Sequence, residues 1–161
     1  MKKTRFITHA AVIAALYVVL TYVANALGLA NGAIQVRFSE ALTILPFFTT
    51  AAIPGLTIGC IVSNLLIGCP FWDILFGSIA TFLGALGTYA LRKSKWLTPL
   101  PPILANTFII PFVLTYVYKI PGGIPYLMAT VGIGEVISCY VLGMILLFTL
   151  GKYRQILFSL D

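Results

Sequence analysis

The sequence predicts an all-α membrane protein, one domain over residues 1–161 built as a bundle of six transmembrane helices, and three observations predict it. The chain is 60% hydrophobic and only 9% charged, against roughly 25% charged in a soluble domain. A chain so short of polar letters cannot coat its own surface, so its surroundings must be apolar. Its apolar residues come in unbroken runs, as in 10–22 and 141–150, and not in the alternation of a membrane barrel. Its charges sit between those runs. A crossing takes about 20 apolar helical residues, so six of them fill the chain and leave only short loops.

The first predicted helix covers 6–27. Lys2, Lys3 and Arg5 precede it and Ala24-Asn25-Ala26 resembles a signal-peptidase site. The apolar stretch exceeds the 7–15 residues of a signal core, so retention as a helix is expected. The second and third helices, 34–53 and 55–68, are separated at Pro54-Gly55, a turn signal, with Pro46 a further break. Parity supports the split. With the N-terminus inside, two helices here put Arg92, Lys93, Lys95, Lys152 and Arg154 inside as well, so eight of the ten basic residues obey the positive-inside rule. One long helix would force the Arg92-Lys93-Ser94-Lys95 cluster outside. The fourth helix is predicted over 71–91, the fifth over 97–117 and the sixth over 124–150, with both termini cytoplasmic. The net charge of +6 is therefore topology, and no nucleic-acid partner is expected.

Ionisable residues inside a bilayer cost about 2.5–3.5 kcal/mol each at a helix centre on insertion scales, so each one calls for a reason. Arg37 and Glu40 open the second helix at its outer end, Asn64 lies near the outer end of the third, and Asp73 begins the fourth. Asn106 falls mid-way along the fifth, and Glu135 about three turns below the outer end of the sixth. Convergence of these side chains makes a polar pocket open to the exterior. Structural alternatives stand beside each: an Arg37–Glu40 pair three residues apart, Asp73 as an acidic helix start, Asn64 and Asn106 as interhelical glue. Glu135, between Gly132, Gly134 and Ser138, has the weakest structural alternative. Trp72 is a candidate stacking surface, or an interfacial belt residue. Carboxylates outnumber cations, which favours a ligand rich in N–H donors or positively charged.

Ala10/Ala14, Ala11/Ala15 and Gly55/Gly59 are small residues four apart, which permit close helix approach within the bundle or onto another subunit. Cys60, Cys69 and Cys139 form no C-x-x-C and His9 stands alone, so no metal site, disulfide or cofactor is expected. There is no G-x-x-x-x-G-K-[ST], H-E-x-x-H or G-x-S-x-G. An enzyme is not expected, and any ATP hydrolysis must belong to other chains.

The run Val36-Arg37-Phe38-Ser39-Glu40-Ala41-Leu42-Thr43-Ile44-Leu45-Pro46-Phe47-Phe48 resembles the signature of the QueT family, substrate-binding membrane subunits (S components) of energy-coupling factor (ECF) transporters for queuosine precursors. Ala52-Ile53-Pro54-Gly55, Trp72-Asp73-Ile74-Leu75-Phe76-Gly77-Ser78, Leu100-Pro101-Pro102 and Gly132-Ile133-Gly134-Glu135 continue the resemblance in order along the chain. It implies a six-helix S-component bundle in the bacterial plasma membrane, with cytoplasmic termini and a substrate site near the outer face. The implied ligand is a 7-deazaguanine, either the cyano or aminomethyl pre-queuosine base or queuine. The implied partners are a transmembrane coupling subunit, docked on Ala10, Ala11, Ala14 and Ala15, and two ATPases. Matching side chains to that ligand gives Glu135 for the donor edge, Asp73 or Glu40 for an amine, Asn64 and Asn106 for ring heteroatoms, Arg37 to hold a loop and Trp72 to stack. An S component for another heterocycle or vitamin, and a stand-alone secondary transporter, are the alternatives.

Overall fold

Residues 2–29 and 35–158 are described by a computed structural model, and every regular element among them is helical. Helix α1 (Lys2–Ala26) is followed by a 3-10 helix, Phe38–Phe47. Then come α2 (Ala52–Leu66), α3 (Phe71–Ala90), α4 (Leu100–Tyr116) and α5 (Ile124–Glu135). A π-helical stretch, Val136–Leu142, joins α5 to α6 (Gly143–Lys152), and the short α7 (Arg154–Leu157) closes the chain. Three rods are long and apolar enough to cross a membrane: Lys3–Ala26, Phe71–Ala90 and the continuous Ile124–Lys152. The remaining three apolar helices are shorter, at 10 to 17 residues.

The segment expected as an α-helix over 34–53 is the largest departure. Residue 34 lies outside the described residues, and the helix that follows is the 3-10 form, Phe38–Phe47. Pro46 has no N–H to give Leu42, and its ring would crowd that carbonyl in an α-helix. The Thr43 hydroxyl meanwhile caps the Glu40 carbonyl at 2.6 Å. A 3-10 helix rises about 2.0 Å per residue, so ten residues reach about 20 Å. The segment is buried at Ser39, Glu40 and along Leu42 to Pro46, which makes it the axis of the bundle. Leu42, Ile44, Leu45 and Phe48 meet Ile13 and Tyr17 of α1, Ala52, Leu56 and Cys60 of α2, and Leu147 of α6 in one core.

Small residues set the closest approaches. A Cβ on Gly55 would lie 2.8 Å from the Ala10 carbonyl oxygen, and one on Gly59 would lie 3.1 Å from the Ala14 Cα and 2.7 Å from the Tyr17 Cβ. Ala10 and Ala14 thus belong to the α1–α2 seam, the intramolecular use of their spacing. Ala11 and Ala15, about 100° further round α1, are exposed. Gly84 is pressed against Pro102 in the same manner, which seats α4 on α3.

The rods run alternately up and down, and the two ends differ in charge. One end gathers the C-terminus of α1, the α2–α3 turn and the α4–α5 loop around a cavity. At the other, His9 and Phe48 meet Phe158, and Lys95 lies over Phe148. Lys3, Arg5, Arg92, Lys93, Lys95, Lys152 and Arg154 all lie toward that second end, while Arg37 and Lys119 lie toward the cavity.

Candidate ligand-binding site

The site is assembled where the two non-α helices cross. π-Helical turns insert a residue into a helix and often occur at functional sites; this one begins directly after Glu135 and carries Ser138 and Cys139. Gly134 lets the chain at Gln35 lie directly across α5, since any Cβ there would collide with the Gln35 carbonyl oxygen. The Arg37 amide then donates to the Ser138 hydroxyl at 3.2 Å. The Cys139 thiol stands 3.5 Å from the Thr43 hydroxyl and 3.6 Å from the Glu40 carbonyl oxygen. These contacts bring Glu40 and Glu135 together, 95 residues apart in sequence.

Within this buried layer the Tyr17 hydroxyl donates to Glu40 Oε1 at 2.5 Å, and the Cys139 thiol donates to Glu135 Oε2 at 3.1 Å. One carboxylate oxygen from each glutamate and the Cys139 sulfur lie within 4.8 Å of one another. Four buried polar side-chain atoms among the described residues lack a hydrogen-bond partner, Ser39 Oγ, Glu40 Oε2, Asn106 Nδ2 and Thr107 Oγ1. Of these, Glu40 Oε2, an acceptor, and Asn106 Nδ2, a donor, belong to this layer. Asn106 adjoins both carboxylates. A buried polar atom left unpaired costs about 1–3 kcal/mol, so two in one layer mark a place prepared for something else. The triad of Glu40, Glu135 and Cys139 has the donor types of a cation site, but an O–H from Tyr17 and an S–H from Cys139 are already directed at one oxygen of each carboxylate. The set is arranged as acceptors for hydrogen-bond donors.

Beyond the layer opens a cavity of about 360 Å³ lined by Asn25, Gln35, Arg37, Cys69, Asp73 and Tyr118 among others. The α2–α3 turn forms its wall. Gly68 takes φ +78°, and the Cys69 amide reaches back to the Asn64 carbonyl at 2.9 Å while the Gly68 amide reaches Leu65 at 3.1 Å. This Schellman closure, which needs a left-handed residue best supplied by glycine, presents Cys69 and starts α3 so that Asp73 faces inward. The Tyr118 hydroxyl, from the α4–α5 loop, donates to Asp73 Oδ2 at 2.6 Å. Burial and that carboxylate push the Tyr118 phenol well above its ordinary value. Burial, and next the charge of Asp73, push the Cys69 thiol up. Arg37 lines the cavity and is within electrostatic reach of Asp73, Glu40 and Glu135, so it stands between void and layer.

The seven residues expected to bind ligand therefore divide. Arg37 and Asp73 line the cavity. Glu40, Asn106 and Glu135 form the buried layer behind it. Arg37 and Glu40 do not pair as an ion bridge, because among the described residues no basic nitrogen comes within 4.0 Å of a carboxylate oxygen. Asn64 is buried between α2 and α3, its amide 3.6 Å from the Cys60 sulfur and beside Gly77, which is the interhelical role. Trp72 is 53% exposed. It lies with Phe76, Phe108 and Phe112 on a lateral apolar groove of about 570 Å³ between α3 and α4, and so is not a stacking wall of the polar cavity. Sequence reasoning missed Tyr17, Cys139 and Tyr118. Cys139 follows Glu135 by four, one helix face, which is a signal of sorts; Tyr17 and Tyr118 counted only as apolar letters.

A helical chain with an apolar exterior and a small cavity lined by charged and polar side chains is a multi-pass protein of the cell membrane that handles a small solute. The comparisons make it specific: the chain belongs to the QueT transporter family, whose model matches residues 7–152. It is similar to the queuosine precursor transporter QueT of Lactococcus lactis subsp. cremoris (strain MG1363). The two are 32% identical over an alignment 161 positions long, which covers 93% of this chain and 94% of the relative. No solved structure matches the chain.

Proposed function

We propose that this transporter binds a queuosine precursor, a 7-deazaguanine base, from outside the cell and delivers it inward as the S component of an ECF transporter. The observation that carries the ligand class is the unpaired couple in the buried layer. A guanine-like edge offers adjacent N–H donors beside a carbonyl acceptor, and Glu40 Oε2 and Asn106 Nδ2 supply one unpaired acceptor and one unpaired donor. Glu135 takes a further N–H. The base enters through the 360 Å³ cavity past Arg37, and an aminomethyl group, where present, is left near Asp73.

Orientation follows from charge. The basic end lies in the cytoplasm by the positive-inside rule, with both termini, and the cavity end faces out. Six rods then cross the bilayer, the short 3-10 helix being sheathed by protein, where non-α backbone is tolerated. The sequence has no G-x-x-x-x-G-K-[ST] phosphate loop, and in this reading the energy comes from separate ATPase subunits through a coupling subunit. Ala11 and Ala15, on the lipid-facing side of α1, supply the flat docking face; Ala10 and Ala14 support it from within the bundle.

Titration calorimetry of the detergent-purified protein with pre-queuosine bases and queuine tests the ligand. Saturable binding is expected, and Glu135→Gln and Asn106→Leu each weaken it. Absence of binding, or binding indifferent to both substitutions, contradicts the assignment. Uptake in cells lacking the coupling ATPases tests the energetics: loss is expected, whereas uptake that persists there and collapses with the proton gradient identifies a secondary transporter.

A further inference from the structure

A second cavity adjoins the first. It measures about 140 Å³ and shares Gln35, Leu114 and Ile120 with the larger one, so those three side chains form the partition between two compartments. Their chemistry differs sharply. Both charged side chains, Arg37 and Asp73, line the larger compartment. None lines the smaller, whose polar groups are the neutral Gln35, Thr130 and Tyr126 against Leu127 and Val131.

We propose that the smaller compartment is a subsite for an uncharged, ring-sized, hydroxyl-bearing substituent carried on the base. The inference rests on the function proposed above and names which members of that ligand class the site is shaped to take. Size supports it: an engineered cavity of about 150 Å³ accommodates benzene, so a five- or six-membered ring fits here without displacing protein. Chemistry supports it too. A cationic substituent would lose hydration in a compartment with no anion to offset it, whereas hydroxyls find the Gln35 amide and the Thr130 hydroxyl. Thr130 is buried and donates to the Leu127 carbonyl at 3.1 Å, which leaves its oxygen free to accept. The cation, when a ligand carries one, stays in the compartment that holds Asp73.

The test compares two ligands, 7-deazaguanine itself and a 7-deazaguanine bearing a neutral hydroxylated cyclopentenyl substituent, by calorimetric titration. The substituted base binds the unmodified protein at least tenfold more tightly. Thr130→Leu, which fills the compartment, abolishes that advantage and leaves the affinity for 7-deazaguanine within twofold. Thr130→Val, similar in size but lacking the hydroxyl, reduces the advantage by several-fold. Equal affinities for the two ligands in the unmodified protein, or an advantage that survives both substitutions, overturn the subsite while leaving the ligand class standing. Binding of neither ligand overturns the functional reading and the subsite with it.

Discussion

The buried layer and the open cavity hold the same kinds of side chain and use them in opposite ways. In the layer, Glu40 and Glu135 each accept from one protein donor, Tyr17 and Cys139 respectively, and Glu40 Oε2 and the Asn106 amide nitrogen are left over. In the cavity, Asp73 has a single protein donor, Tyr118, and faces open volume together with Arg37. A closed set of donors and acceptors with two vacancies discriminates by hydrogen-bond pattern, since a ligand lacking the matching groups leaves them unpaired. An open charged vestibule discriminates by charge and size. Under the proposed function, recognition of the base falls to the first region and selection among charged substituents to the second.

Changes in the layer should therefore outweigh changes in the cavity. Glu40→Gln turns the unpaired Oε2 acceptor into an N–H donor while its carbonyl oxygen can still accept from Tyr17; a ligand N–H then meets a donor, and affinity should fall by about 100-fold. Titration calorimetry measures it, and a loss below fivefold would erase the distinction between the regions. Gly59→Ala comes next. The added methyl meets the Tyr17 Cβ at 2.7 Å, and overpacking of this kind costs about 1–3 kcal/mol. Thermal unfolding in detergent should fall, and binding with it, because Tyr17 is the donor that orients Glu40.

Asp73→Asn should cost about tenfold for an aminomethyl-bearing base, roughly 1.4 kcal/mol, and leave a neutral one nearly unchanged. The same substitution has a second readout at Cys69. Removing the negative charge eases formation of the thiolate, which Asp73 holds back. Maleimide labelling of Cys69 at neutral pH should then quicken, and the pH at which labelling reaches half its maximum should move down. An upward shift would contradict the placement of Asp73. The smallest effect is expected from Trp72→Ala, which alters only the lateral groove and should change affinity less than twofold.

The sequence carried the layer better than its surroundings. Glu135 was legible because an acid among Gly132, Gly134 and Ser138 in an apolar helix has few structural uses, and Glu40 because it sits at the head of the family-like run. Their meeting was not legible, since it depends on helix types that period-based reading does not distinguish. Pro46 announces a break without announcing a 3-10 helix, and nothing in Val136–Leu142 announces a π-helical stretch. Small-residue spacing has the same weakness: it specifies close approach but not the partner, so Ala10 and Ala14 lie against α2 while Ala11 and Ala15 stay outside. Trp72 shows the reverse error, a residue adjacent in sequence to Asp73 but turned about 100° away by the helix. Tyr17 is the clearest omission, an aromatic letter in an apolar helix whose hydroxyl matters more than its ring.

Cys69 offers the most direct trial of the claim that an outward-facing cavity leads a guanine-like base to the Glu40–Glu135 layer. It lines the cavity, whereas Cys60 and Cys139 are 1% exposed. Intact cells carrying the protein should be labelled by a membrane-impermeant thiol reagent at Cys69, with Cys69→Ser as the control, and a saturating 7-deazaguanine should protect the thiol. Labelling only after the membrane is opened, or labelling unchanged by saturating base, would contradict the account.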